Sequence, residues 1–170
     1  MEVAISEEIP TYSGGLGTLA GDMALSFADL GLPATFITLL SRKGYTSQKL
    51  DGGVGQLDSP DDWDWKKSLV KTELTASVDL GDAAQKVGAW EYRIRGNAPV
   101  SILFLDTDYP QNRADFREAS ERLYNSEGGQ RLLQDIVLGV GGYRILKARG
   151  EDIDVYHLNE SHAAFATTLT

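Results

Sequence analysis

The sequence predicts an α/β fold of the Rossmann-like type, a mainly parallel sheet with helices on both faces and a small antiparallel excursion. Residues 34–40 and 100–105 are almost wholly apolar runs, which is typical of strands buried on both faces of a parallel sheet. A glycine-rich turn at residues 13–17 lies between a short apolar run and a helical pattern, which is the order of a strand, turn and helix unit. We expect residues 1–170 to form a single domain, because this length suffices for one core.

The first unit comprises a strand at residues 3–5, the glycine turn and a helix that begins near Thr18. Apolar residues recur at helical spacing up to Ala28, and Gly31 followed by Pro33 predicts the end of this helix. Glycines let the backbone approach a ligand closely, and a helix N-terminus directs free N–H groups and positive charge toward it. The turn therefore predicts a site for an anion or a polar sugar, although tight strand-to-helix packing also requires glycines of this kind.

The middle of the chain departs from this pattern. Residues 51–65 are rich in Gly, Asp, Pro and Trp without periodicity, which indicates a long surface loop. A calcium site is the alternative for its carboxylates, Asp58, Asp61, Asp62 and Asp64. A solvated loop is favoured because the spacing of an EF-hand is absent. Residues 73–80 and 87–95 alternate between apolar and polar side chains, which predicts an antiparallel pair with one wet face.

Two carboxylates, Asp106 and Asp108, follow the strand at residues 100–105. An Asp-x-Asp at the carboxyl end of a strand is how metal-dependent glycosyltransferases hold a divalent cation, so manganese with a nucleotide sugar is one alternative. No second acidic or histidine ligand can be picked out from the sequence, and we therefore expect no metal.

The second half is predicted to begin with two helices, at residues 112–124 and 131–147, joined by a loop at residues 126–130. Gly150 predicts the end of the second helix. Its interior contains three glycines, Gly139, Gly141 and Gly142. Because each costs about 1 kcal/mol relative to alanine, we expect another element to pack closely against them.

The chain's only two histidines lie in one motif near its end. A fourth strand is predicted at residues 154–158, and it carries His157, which we expect in the core. Asn159 and His162 lie in the turn into a final helix. Because ligands of open α/β sheets bind at the carboxyl ends of the strands, we expect this turn to face the glycine turn across one sheet edge.

The two motifs together resemble those of the compact bacterial and archaeal α-glucan phosphorylases. Residues 9–22 read IPTYSGGLGTLAGD and residues 157–165 read HLNESHAAF, in the family's order, and the resemblance runs with gaps across nearly the whole chain. Compact members more often carry glycine where Ser161 stands. The resemblance implies the first part of the N-terminal Rossmann-like half of a GT-B glycosyltransferase. It implies phosphorolysis of α-1,4-glucans to glucose 1-phosphate, as in glycogen, starch and maltodextrin phosphorylases.

The resemblance also implies roles for individual residues. The glycine turn would offer backbone donors to the substrate phosphate and sugar, from Gly14, Gly15, Leu16 and Gly17. Gly15 is also the residue of the turn that would approach the cofactor. Asn159 and His162 would orient the glucosyl unit, and neither would act as a general acid. Arg131 falls where the family has an arginine near its active site, and residues 126–130 match a mobile loop that gates it.

In this family pyridoxal 5′-phosphate acts through its phosphate group and is bound by a lysine of the C-terminal half. That half lies outside this sequence, so we expect no covalent cofactor on the chain and no activity from it alone. The implied partners are α-glucan, glucose 1-phosphate, phosphate, the missing C-terminal half, and a second copy in a homo-oligomer. The chain stops a few residues into a predicted helix, so we expect a fragment.

Composition and charge limit the other functions. The chain has no cysteine, which excludes a disulfide scaffold and a cysteine nucleophile and suits a reducing cytoplasm. Its net charge of -9 argues against nucleic acid or an anionic membrane as partner, since both require a basic face. No apolar run approaches the roughly 20 residues that span a bilayer, and the start lacks a basic signal peptide. We therefore expect a cytoplasmic protein.

Two further interpretations remain open. A bacterial-type glycogen or starch synthase, another GT-B glycosyltransferase, also carries Gly-Gly-Leu-Gly after its first strand. Such a synthase has a lysine two residues before the first glycine, where this chain has Tyr12. A stand-alone sugar- or phosphate-binding module would bind its ligand without turnover.

Overall fold

The computed structural model describes residues 1–53, 55–59, 61–81, 83–126 and 129–169, which form an α/β structure. The strands are β1 (Ala34–Leu39), β2 (Ser47–Asp51), β3 (Gly55–Ser59), β4 (Val70–Leu80), β5 (Ala83–Ile94) and β6 (Val100–Asp106). The α-helices are α1 (Gly15–Leu30), α2 (Trp65–Ser68), α3 (Ala114–Glu118), α4 (Gln130–Ile136) and α5 (Gly142–Arg149). A π-helical turn (Val137–Gly141) joins α4 to α5, and a 3₁₀ helix (Ser161–Thr168) follows.

The main sheet has four strands in the order β1-β6-β5-β4, and the prediction of a mainly parallel sheet is wrong for it. Only β1 and β6 pair in parallel, whereas β5 runs antiparallel to both β6 and β4. The connection from β5 to β6 comprises residues 95–99. A parallel crossover needs a dozen or more residues, so this short connection forces the two strands to run antiparallel.

Helices cover both faces of this sheet, as predicted. Alternate residues of β6 point to opposite sides, so Phe104 joins the core cluster of Val3 and Ile9, and Leu105 joins the cluster of Val137 and Ile145. Helix α1 packs on the first face through a third cluster that includes Ala24, Ala28 and Val100. The continuous helical segment from α4 to α5 packs on the second face. Strand β6 is buried on both sides, which explains its unbroken apolar sequence.

The predicted antiparallel excursion is confirmed as the β4–β5 pair, but the predicted surface loop is only partly correct. Residues 47–59 contain a second sheet, the antiparallel pair β2–β3. Every described residue of β3 is exposed, and so are four of the five residues of β2. A hairpin with two wet faces has no apolar alternation, so the sequence carries no strand signal there.

The strands predicted at residues 3–5 and 154–158 are wrong: both segments lie outside the sheets among the described residues. The N–H groups of Val3 and Ala4 donate instead to the carbonyl oxygens of Thr11 and Gly17, at 3.1 and 2.9 Å. His157, which we expected in the core, is exposed. Its segment pairs with no described strand, and four of the five residues at 154–158 are exposed. The exception is Tyr156, whose ring lies 5.7 Å from that of Tyr143.

The first predicted helix of the second half is also shorter than expected, because only Ala114–Glu118 is α-helical. The chain after it is held by tertiary hydrogen bonds instead. The buried Gln134 side chain donates to the carbonyl oxygens of Ala119 and Arg122, at 3.2 and 2.7 Å. The N–H group of Arg42 donates to the Ser120 carbonyl at 3.2 Å. Carbonyl groups that a helix would use internally are therefore occupied from outside.

The glycines of the long helical segment pack as predicted. A Cβ atom at Gly139 would lie 2.7 Å from the Phe165 Cβ, on the 3₁₀ helix, and one at Gly142 would lie 3.2 Å from the Ile37 side chain. The predicted helix ends are confirmed at Gly31 and Gly150, which both adopt left-handed conformations with φ of 73°. Part of the predicted loop at 126–130 lies outside the described residues, at 127 and 128. Among the described helices, none has the length and hydropathy needed to cross a membrane.

Candidate functional site

The glycine turn is open to solvent at its centre. Helix α1 begins at Gly15, and Gly14 precedes it in an extended conformation with φ of -168°. A Cβ atom at Gly14 or Gly15 would meet nothing within 4 Å. The N–H groups of Gly15 and Leu16 belong to the first helical turn, where no intrahelical acceptor exists. This part of the turn therefore has backbone donors without intrahelical acceptors next to an open space.

The later glycines have a different function, which is close packing. A Cβ atom at Gly17 would lie 2.7 Å from the Tyr12 Cβ, and one at Gly21 would lie 1.7 Å from the carbonyl oxygen of Ala4. The two explanations for this glycine-rich stretch therefore apply to different residues. Gly14 and Gly15 leave room for a ligand, and Gly17 and Gly21 let α1 approach the N-terminal segment.

The buried carboxylate of Glu2 accepts hydrogen bonds from the start of the glycine turn. Glu2 is only 4% exposed. Its Oε2 atom accepts hydrogen bonds from the Ser13 N–H group, from the Ser13 hydroxyl at 3.1 Å and from the Gly14 N–H group at 3.3 Å. Its Oε1 atom accepts one from the Tyr124 hydroxyl at 2.9 Å. The chain's own carboxylate thus occupies the donors of Ser13 and Gly14.

Tyr124 connects this carboxylate to the second motif. The Arg131 guanidinium carbon lies 4.7 Å from the centroid of the Tyr124 ring, which is a cation–π geometry. The His162 ring meets the same tyrosine edge-on, with the centroids 6.0 Å apart. Arg131 Nη2 lies 2.9 Å from His162 Nδ1. Tyr124, Arg131 and His162 therefore form one cluster, which Glu2 joins to the glycine turn.

The cluster lies just beyond the carboxyl end of β1. The Leu123 N–H group donates to the Gly44 carbonyl at 3.0 Å, and the rings of Tyr124 and Tyr45 pack edge-on at 6.4 Å. Gly44 and Tyr45 lie five and six residues after the end of β1, in the segment that leaves this strand. This is the edge of an α/β sheet at which ligands bind.

Not every residue predicted for the site joins the cluster. Gly14, Arg131 and His162 are connected through Glu2 and Tyr124, and Gly15 and Leu16 are their neighbours at the start of α1. Asn159 is half-buried, and its side chain makes no hydrogen bond within the described part of the chain. It lies next to Glu160, which adopts a left-handed conformation with φ of 69°.

The environment of the cluster shifts two pKa values. Burial, assisted by the positive charge of Arg131, lowers the pKa of His162 below its ordinary value of 6.5. Burial, assisted by the hydrogen bond to Glu2, raises the pKa of Tyr124. At neutral pH the imidazole is therefore uncharged, and its ring nitrogen can accept a hydrogen bond from Arg131.

The lowered pKa of His162 makes the stability of the chain depend on pH. The unfolded chain binds a proton at this residue more readily than the folded chain does. The free energy of unfolding therefore decreases as the pH falls from about 6.5 toward the folded-state pKa. We expect His162→Gln to lose this part of the pH dependence and His157→Gln, at the exposed histidine, to keep it. Urea unfolding between about pH 5 and 8 measures the effect, and equal pH profiles for the two variants would contradict it.

Asp106 and Asp108, considered above as metal ligands, take part in an ion-pair network. Asp106 Oδ1 lies 3.0 Å from Arg42 Nη1, and the indole N–H group of Trp90 donates to Asp106 Oδ2 at 3.3 Å. Asp108 Oδ1 lies 2.6 Å from Arg117 Nη2. Among the described residues there is no group of three or more acidic, histidine or cysteine side chains placed to hold a metal ion. The arginines compensate the charge that a cation would otherwise neutralise.

The sequence interpretation missed Glu2 and gave Tyr124 no part in the site. A signal for Glu2 existed, because it directly precedes the apolar run at residues 3–5, and a carboxylate buried beside such a run needs donors. Tyr124 ends an Arg-Leu-Tyr sequence at residues 122–124 that resembles the one ahead of the gating loop in the α-glucan phosphorylases, but nothing local pointed to its partner. Its partner Glu2 lies 122 positions away in the sequence.

Known proteins resemble the chain over nearly its whole length. The maltodextrin phosphorylase of Thermococcus litoralis is 40% identical over 173 residues, which cover 98% of this chain and 20% of that protein. The glycogen phosphorylase of Mycobacterium tuberculosis is 34% identical over 178 residues, covering 97% of the chain and 20% of that protein. The chain is a homologue of maltodextrin and glycogen phosphorylases. No family model matches it.

This phosphorylase homologue spans about a fifth of the length of those two relatives. The glycogen phosphorylase of Aquifex aeolicus, 33% identical over 171 residues, matches 96% of the chain and 24% of its own length. The resemblance inferred from the two motifs is confirmed, since both motifs lie within a match of this extent. The chain therefore matches one part of each of these longer proteins.

Proposed function

We propose that this chain is the N-terminal portion of an α-glucan phosphorylase and lies in the Rossmann-like N-terminal domain of a GT-B enzyme. In this proposal it supplies phosphate and glucosyl contacts for the phosphorolysis of α-1,4-glucans to glucose 1-phosphate. The observation that supports it best is the connection of the two motifs through Glu2 and Tyr124. That connection brings backbone donors, an arginine and a neutral histidine to one edge of the sheet.

Each group has a definite task in this proposal. The N–H groups of Gly15 and Leu16 lie at the positive end of the α1 dipole, beside the open space at Gly14 and Gly15. A helix start of this kind attracts a phosphate oxygen. Arg131 adds a fixed positive charge. Because such donors are held in place before the reaction, they stabilise charge that develops on the transferred group. His162 is neutral and orients glucosyl hydroxyls by hydrogen bonding, with Asn159 beside it.

The C-terminal half of the enzyme would complete the site and bring pyridoxal 5′-phosphate, whose phosphate group supplies acid–base chemistry in this family. The lysines of this chain do not fit the cofactor's aldehyde, because a Schiff-base lysine must be desolvated and none of them is buried. Lys43 is among the less exposed, and its Nζ atom pairs with Glu121 at 2.7 Å. The chain's own contribution is therefore binding and orientation.

A chimera tests this function. The chain would replace the matching segment of the Thermococcus litoralis maltodextrin phosphorylase, and glucose 1-phosphate formed from maltodextrin and phosphate would be measured. We expect phosphate-dependent release of glucose 1-phosphate that falls strongly in His162→Gln and persists in His157→Gln. A folded chimera without phosphorolysis would contradict the proposal.

The alternatives have their own measurement, which uses the isolated chain. Manganese-dependent binding of a nucleotide sugar, followed by amide NMR, would favour the synthase-like or metal-dependent interpretations. Tight binding of maltoheptaose or phosphate by the chain, together with an inactive chimera, would favour a stand-alone binding module. The phosphorylase proposal predicts neither combination.

A further inference from the structure

Glu2 makes hydrogen bonds to the glycine turn and to Tyr124, which packs against the Arg131–His162 pair. One of its carboxylate oxygens accepts hydrogen bonds from Ser13 and Gly14, and the other accepts one from Tyr124. The donors are two backbone N–H groups and two hydroxyls. Burying a carboxylate is costly unless its oxygens are hydrogen-bonded, so these contacts together specify where Glu2 and its partners lie.

The shape of the glycine turn depends on this carboxylate. Gly14 is extended, with φ of -168°, so no left-handed residue fixes the backbone there. A Cβ atom at Gly17 would approach Glu2 Oε2 to 3.1 Å, which shows how closely α1 lies over the carboxylate. Glu2 therefore sets the direction in which the free N–H groups of Gly15 and Leu16 point.

The other end of the contact sets the position of the second motif. Tyr124 adopts a left-handed conformation with φ of 55°, and its hydroxyl reaches Glu2 while its ring packs against Arg131 and His162. A shift of the carboxylate would therefore move the tyrosine and the two side chains packed on it. One carboxylate thus spans the space between the turn and the Arg131–His162 pair.

We propose that Glu2 is a positioning residue, whose carboxylate fixes the separation between the donors of the glycine turn and the Arg131–His162 pair. This inference rests on the proposed phosphorylase function. Glu2 contacts no substrate in this arrangement. It acts through the turn on one side and through Tyr124 on the other.

Two substitutions separate the reach of Glu2 from its charge. Glu2→Gln removes the charge but keeps the length, since the amide oxygen can accept from Ser13 and Gly14 while the amide N–H group donates to the Tyr124 oxygen. Glu2→Asp keeps the charge but is one methylene shorter, so it cannot reach both sides. A positioning role predicts that Gln is tolerated and Asp is not.

The kinetic test uses the chimera described above. We expect Glu2→Asp to lower kcat/KM for phosphorolysis about 100-fold, because a misplacement near 1 Å has an effect of this order. Glu2→Gln should stay close to the unsubstituted chimera. Glu8→Asp, at an exposed glutamate, is the matched control and should be unchanged. Equal activity of Glu2→Asp and Glu8→Asp, or a larger loss in Glu2→Gln than in Glu2→Asp, would overturn the inference.

A second test on the isolated chain does not depend on activity. We expect Tyr124→Phe to shift the amide resonances of Ser13 and Gly14, and Glu2→Asp to shift the ring resonances of His162, while Glu8→Asp shifts neither. Unchanged resonances in both variants would overturn the inference. If the resonances of the isolated chain shift as expected but the chimera is inactive, only the phosphorylase proposal is contradicted. The two failures are therefore distinguishable.

Discussion

Replacing Gly21 by alanine is expected to lower the free energy of unfolding by about 2 kcal/mol. The new Cβ atom would lie 1.7 Å from the carbonyl oxygen of Ala4 and 2.7 Å from its carbonyl carbon. Overpacking of this kind costs about 3 kcal/mol, and the higher helix propensity of alanine returns about 1 kcal/mol. The atoms that the new Cβ would meet belong to the backbone of Ala4. The N–H group of Ala4 donates to the Gly17 carbonyl at 2.9 Å, so this backbone cannot easily move away.

Urea unfolding followed by far-ultraviolet circular dichroism measures this effect. Gly15→Ala is the matched control, because it makes the same chemical change on the same helix where an added Cβ meets nothing within 4 Å. We expect the control to be as stable as the parent chain or slightly more stable. If the two variants unfolded at the same urea concentration, the close approach of α1 to residues 3–5 would be disproved.

Elements whose residues signal their own structure were predictable. Helix α1 has helical periodicity and a terminal glycine, and both are local properties of the sequence. Strand β6 is apolar because both faces of the sheet are covered, so its sequence reports its burial directly. Strand β1 was found by the same apolar pattern, but it is an edge strand and four of its six residues are only half-buried. The glycines at 139, 141 and 142 were informative for the same reason, since a helix accepts such a cost only where a neighbour requires it.

Elements whose structure depends on distant partners were not predictable. Residues 154–158 look like a buried strand, but strand pairing depends on a neighbouring strand, and no described strand pairs with this segment. The segment after α3 has a helical pattern that Gln134 and Arg42 override by binding its carbonyl groups.

The candidate site shows the same division. The two motifs identified Gly14 and His162, and the family resemblance identified Arg131. Their connection passes through two residues outside the motifs, Glu2 and Tyr124. Which glycine faces open space and which one packs against backbone is also a property of the three-dimensional structure. Gly15 and Gly21 lie on one helix, yet one faces open space and the other touches backbone.

A substitution at Gly15 is expected to have a large effect on activity. Gly15→Val is expected to lower kcat/KM of the chimera about 100-fold, the usual effect of losing one preorganised backbone donor. The valine side chain would project into the open space beside the Gly15 and Leu16 N–H groups and crowd an approaching phosphate. Folding should be retained, because an added Cβ meets no atom within 4 Å and Gly15 has no positive φ. Valine also has a higher helix propensity than glycine, so the substitution should not weaken α1.

Gly55→Val provides the control for this prediction. Gly55 lies in β3, is exposed, has no positive φ, and also has nothing within 4 Å of an added Cβ, so the same substitution is made far from the site. We expect the control chimera to retain its activity and both variants to keep the circular dichroism spectrum and urea midpoint of the parent. Phosphate-dependent rates at several phosphate concentrations then separate binding from turnover. Near-normal phosphorolysis by a folded Gly15→Val chimera would mean that the open part of the glycine turn contacts no substrate.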